Sequence, residues 1–143
     1  LTSLLLSACG GSGPPVEGLP SGSLALDTGG AEVVVDVAIA ETTESQQKGL
    51  MGVEEMAESS GMVFLEEEPV SQPFWMKDTL IPLSVAFWDE EGEILAILDV
   101  DPCRADPCTI YDPNVTWIGA LEVNQGFFAG RGIEVGDRVS LQR

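Results

Sequence analysis

The chain has no histidine, and only six Lys and Arg residues stand against 24 Asp and Glu. The missing imidazole removes the commonest general base at neutral pH and the commonest metal ligand. The scarcity of cations leaves a formal charge of −18, which argues against a nucleic-acid partner, because every phosphate would meet a repulsive field. Aromatic residues make up only 6%, so the core must be built mainly from Val, Leu, Ile and Met. There is no Ser–His pair, no glycine-rich phosphate loop and no evident loop of oxygens spaced for Ca²⁺. No metal or cofactor is therefore expected. What is present suits a folded domain: 143 residues, 44% apolar and 21% charged, enough for one core rather than two.

The cysteines, three in all, carry the address. The opening "LTSLLLSACGGSG" is an apolar segment too short to span a bilayer, closing on Ser7, Ala8 and Cys9. It resembles a bacterial lipobox, where a signal peptidase cuts after small residues and the cysteine becomes a lipidated N-terminus. On that reading residues 1–8 end a signal peptide, and residues 9–30, rich in Gly, Pro and Ser, form a flexible linker. The protein is then an extracytoplasmic lipoprotein, held on a membrane of the cell envelope through Cys9. "CRADPC" leaves Cys103 and Cys108 as an even pair outside the reducing cytoplasm, and a disulfide is expected between them. Zinc would need two further ligands that the composition does not offer.

Residues 31–143 read as a single domain. "EVVVDVAIA" alternates, with Val33, Val35, Val37 and Ile39 on one face and Asp36 on the other, as a half-buried strand does. "TTESQQKGLM" predicts a short helix, with Thr43 as N-cap, Gln46 completing a capping box and Gly49 as the stop. "GMVFL" is a strand, and the acidic "EEEP" after it a turn. "FWMKDT" is a strand. "LSVAFW" and "ILAILDV" form a hairpin with Gly92 in its loop, both apolar enough to lie centrally and be covered on both faces. "TWIGALEV" follows as a strand, then a short helix over "QGFFAGR" capped by Asn124, and a last strand in "IEVGDRVSL". The fold class is α+β, mainly β: a barrel or sandwich of about seven short strands with one or two small helices.

The order "KGLMG", "GMVFLEE", "PFWMKDTLIPLSVAF", "PCRADPCTIY", "ALEVNQG", "GIEVGDRV" resembles the bacterial and archaeal family known as domain of unknown function 192. The likeness runs from about residue 42 to 141 and implies a compact β-rich domain, often exported, with no settled activity. Against the family's usual pattern, an arginine after Gly-Leu-Met is replaced by Gly52-Val53. An asparagine after the lysine is Asp78, and an aspartate after Pro-Leu is Ser84.

One of only two lysines, Lys77, sits in "PFWMKDT" beside Trp75. Strand alternation would put both on one face. The lysine has three readings: snorkelling along Trp75, pairing with a buried acid, or binding a ligand. Glu122, inside the apolar "ALEV", is the candidate partner, since a buried acid without one is costly or neutral. The ion pair is the reading carried forward. Trp75, Trp88, Trp117 and Tyr111 could form a sugar-stacking platform, although core packing accounts for them as well. The expected function is a non-catalytic ligand-binding or accessory domain, with a small ligand or envelope polymer near Trp75, Lys77 and Glu122. The alternatives are an enzyme using Glu122 as acid/base with Lys77 as an electrostatic clamp, and a structural or protein-interaction module. The sequence points to no particular partner protein.

Overall fold

The computed structural model describes residues 13–143; Cys9 and the expected signal-peptide segment lie outside the described residues. Strands β1 (Ser21–Asp27) and β2 (Glu32–Ala40) lead to helix α1 (Thr43–Lys48) and the long β3 (Ser60–Val70). Then come β4 (Phe74–Trp75), β5 (Leu83–Trp88), β6 (Ile94–Val100), β7 (Ile110–Tyr111), β8 (Trp117–Asn124), α2 (Phe127–Gly130) and β9 (Arg138–Gln142).

Seven strands form one sheet in the order β6-β5-β8-β3-β2-β1-β9, and β4 pairs with β7 in a small second sheet. Neighbours in the large sheet are antiparallel except β2 and β3. That parallel pair needs a crossover, and α1 lies within it. The sheet curls into a half-barrel whose two edges meet at one end. There Glu93 bridges to Arg138, and the Val139 amide donates to the Gly92 carbonyl at 2.8 Å.

Because side chains alternate along each strand, the sheet carries two apolar layers. The inner one gathers Leu24, Val35, Val63, Leu121 and Trp88, and α2 seals it with Phe127 and Phe128. The outer one gathers Met62, Phe64, Val85, Phe87 and Trp117, covered by Leu50, Met76 and Phe74 from the α1 and β4 segments. The candidate functional site lies in this outer layer.

The mainly β, single-domain reading holds, with nine strands among the described residues. Several boundaries shift. Ser21–Asp27, read as linker, is β1: it pairs with both β2 and β9, and Leu24 and Leu26 are fully buried. The domain therefore starts well before residue 31. The N-cap is Thr42 rather than Thr43, and Ser45 closes the capping box, while Gly49 is the C-cap. That frees the Gln46 side chain to donate to the Leu65 carbonyl at 2.8 Å. The acidic "EEEP" is no turn but the second half of β3, which carries a register irregularity after Leu65. β5 is buried throughout, as its composition implies, whereas β6 is a sheet edge and mostly half-buried. Asn124 does not cap α2; its side chain donates to the Met56 carbonyl at 2.8 Å.

Cys103 and Cys108 are disulfide-bonded, with Cα atoms 5.3 Å apart. The loop they close is short, so chain entropy limits what the bond adds. Reduction should lower unfolding free energy by no more than about 2 kcal/mol, as read from urea melts with and without reductant.

Candidate functional site

An open cleft of about 420 Å³ lies between the outer face of the half-barrel and the layer formed by α1 and β4. Phe64, Phe74, Trp75 and Trp117 give it aromatic walls, Gln46, Lys48 and Glu66 contribute polar groups, and Glu122 lines it as well. The walls are mutually braced: the Phe74 ring meets those of Phe64 and Trp117 edge-on, at centroid distances of 5.3 and 5.7 Å. Such T-shaped contacts favour one arrangement and hold the cleft's shape.

Glu122 reaches the cleft through β8. Its neighbours across the sheet are Met62 on β3 and Val85 on β5, so two apolar side chains flank the carboxyl. The residue is 6% exposed. Burial pushes its pKa up to about 8, with no opposing charge or hydrogen bond to restrain it. Every fully enclosed polar side-chain atom among the described residues has a partner. The unpartnered Glu122 oxygens must therefore face the cleft. At neutral pH this is a protonated acid, able both to donate and to accept. Burial also raises Glu66, on the same cleft, while the neighbouring Gln46 side chain holds it back.

Trp75 and Glu122 both line the cleft, and Lys77 does not. It is exposed, with its ammonium 5.5 Å from the centre of the Trp75 ring, and it forms no ion pair with Glu122. The expected salt bridge fails because Lys77 lies on the exposed side with Trp75 while Glu122 is buried. A turn follows Trp75, closed by the Thr79 amide on the Met76 carbonyl, with Asp78 at φ 55°. Met76 enters the core and Lys77 points outward. A cation in this position contributes little to stability. Lys77→Met should change unfolding free energy by less than about 0.5 kcal/mol, measured by chemical denaturation. The tryptophans form no common platform either: Trp88 lies in the inner layer, Trp117 in the outer, and Trp75 alone is 51% exposed.

Comparison with known proteins supplies the lineage. The model of the family DUF192, described as uncharacterized ACR, matches residues 24–141. This chain belongs to that family. A protein of unknown function from Novosphingobium aromaticivorans DSM 12444 has a similar crystal structure, with a TM-score of 0.81 at 31% identity over 88% of this chain and 89% of that one. Another, from Sinorhizobium meliloti 1021, is described as a candidate transcription regulator. It gives a TM-score of 0.80 at 27% identity, over 86% of this chain and 95% of its own. None of the curated proteins matches.

The positions where this DUF192 chain departs from the pattern expected of the family, Val53, Asp78 and Ser84, do not line the cleft. Val53 packs on the outer apolar layer. Ser84 is buried, and its hydroxyl donates to Asp99 at 2.6 Å while accepting from the Gly126 amide at 3.0 Å. Sequence reasoning passed over Glu66 and Gln46. Their signal was an acid two residues beyond a buried phenylalanine, on the same strand face, and an amide on the inner side of a short helix.

Proposed function

We propose that this DUF192 domain is a non-catalytic receptor for a small ligand, tethered to the cell envelope through lipid on Cys9. One observation carries the binding reading: a buried carboxyl without a protein partner opens into a shaped, aromatic-walled cleft. Structural buried acids are paired, because an unsatisfied one costs stability. A group left unpaired at the end of an open cleft is the arrangement expected where a ligand supplies the partner.

The enzyme reading is weaker. Burial gives Glu122 the raised pKa a general acid needs, and Glu66 is a second acid on the cleft, which favours that reading. But no side chain among the described residues hydrogen-bonds Glu122 to orient it toward a reacting atom. Lys77, the expected clamp, lies outside the cleft. The regulator description stays with the Sinorhizobium protein, since a charge of −18 opposes contact with DNA.

Thermal-shift screening of the chain with Cys9→Ser, against sugars, amines, organic acids and peptides, tests the receptor role. A reproducible upward shift for one class, abolished by Glu122→Gln, is the expected result. No shift from any class would refute the reading. For the tether, a fatty-acid label should enter the intact protein in a bacterial host and be absent from Cys9→Ser. Equal labelling of both would exclude Cys9 as the anchor.

A further inference from the structure

Resting on the receptor reading of the cleft, we infer that its ligand is an organic cation, with an ammonium group seated against the Glu122 carboxylate between the aromatic walls. The titratable groups facing the cleft are Glu122 on β8, Glu66 on β3 and Lys48 on α1. Lys48 belongs to the last turn of α1, is exposed, and pairs with neither acid. Glu122 is thus a buried acid and Glu66 a half-buried one, and neither forms an ion pair with a cation of the protein among the described residues. An ammonium is the ligand group that would satisfy Glu122 in charge as well as in hydrogen bonding.

The walls point the same way. Phe64, Phe74, Trp75 and Trp117 are the kind of surface that holds ammonium groups by cation–π attraction. The Trp75 ring already carries one, the exposed ammonium of Lys77 at 5.5 Å. The charge of −18 adds a long-range field that draws cations and repels anions. A neutral sugar could use the hydrogen bonds but would gain nothing from the field or from a charge on Glu122.

Binding is linked to a proton. Burial holds the Glu122 carboxyl protonated at neutral pH, so an arriving ammonium displaces that proton to solvent. The protonated acid and the cation become a carboxylate–ammonium pair plus one released proton, and the charge balances. Affinity should therefore climb about tenfold per pH unit below the Glu122 pKa and level off above it.

Calorimetric titration of the Cys9→Ser chain tests this, with choline and benzylammonium as cationic probes, maltose as neutral probe and succinate as anionic probe. Choline keeps its charge at every pH, so its pH dependence belongs to the protein. Salt of about 0.15 M limits attraction to the acidic surface. The expected result is cation binding that strengthens from pH 6 to 8 and releases a proton, as read in buffers of different ionisation enthalpy. Glu122→Gln should weaken it at least about tenfold at pH 8 and flatten the pH profile. The proton count in the unmutated protein decides the matter even where that variant folds poorly. Binding of maltose or succinate without the cations would overturn the cation assignment and leave the receptor role standing. Silence from all four probes would overturn both. Cation binding with no proton release, or unchanged in Glu122→Gln, would place it on the acidic surface and overturn the assignment.

Discussion

Between pH 6 and pH 8 the protein should lose stability that its Glu122→Gln variant retains. In the folded protein the Glu122 pKa stands at about 8, against an ordinary value of 4.5 that the unfolded chain restores. Over that interval the native state binds a proton that the unfolded state does not. Stability from this group is therefore complete below about pH 4.5 and is lost as pH rises through about 8. The full difference amounts to at most about 5 kcal/mol, since each pKa unit is worth roughly 1.4 kcal/mol. Glutamine imitates the neutral acid at every pH and escapes the loss. The chain has no histidine, so the neutral range is nearly clear of other side-chain titrations. Glu66 shifts in the same direction, but it is common to both proteins. Urea denaturation at pH 6, 7 and 8 should show the variant gaining on the unmutated protein by one or more kcal/mol across the series, a few at most. Parallel profiles would mean that Glu122 titrates as an exposed acid.

A purely steric effect is expected from Gly119→Ala. Gly119 on β8 stands opposite Trp88 on β5. A methyl group there would sit 2.3 Å from the Cε2 atom of the indole. Trp88 is buried in the inner layer and cannot simply swing away. The indole must leave its rotamer or the strands must part, at a cost of about 3 kcal/mol or more. The two sites should couple: Trp88→Leu opens room for the methyl, so the double variant should be more stable than the sum of the single losses implies. Additive losses would show that the indole is not the obstacle.

The strands of the central sheet were legible because their patterns are local. "EVVVDVAIA" alternates cleanly, and Val35, Val37 and Ile39 do point into the inner layer. The continuous apolar run of β5 likewise signals burial on both faces. β1 escaped notice because Gly22 and Ser23 give it a linker's composition, although Leu24 and Leu26 carry the alternation. Gly22 has its own reason to be there, since a Cβ would come within 2.3 Å of the Gln142 carbonyl oxygen. Half of β3 was hidden for a similar reason, its three glutamates and proline being ordinary turn residues.

The site was legible in part. An acid inside "ALEV" had to be buried, and Glu122 is. Its partner could not be read, because pairing depends on where the chain turns. The turn after Trp75 falls in "MKDT", where Asp78 adopts a left-handed conformation that aspartate tolerates and no short pattern announces. Lys77 does stand beside Trp75, as alternation implies, but on the exposed side, away from the buried Glu122. The cleft itself is tertiary: α1, β3, β4 and β8 meet there from distant parts of the chain.

The account turns on the protonation of Glu122, and the most direct measurement is its own titration. The ¹³C shift of its side-chain carboxyl, assigned by comparison with Glu122→Gln and followed from pH 3 to 10, should give a midpoint near 8, several units above the other carboxylates. A midpoint between 4 and 5 would mean that the carboxylate is solvated or paired, and the cleft would then hold no unsatisfied acid waiting for a ligand.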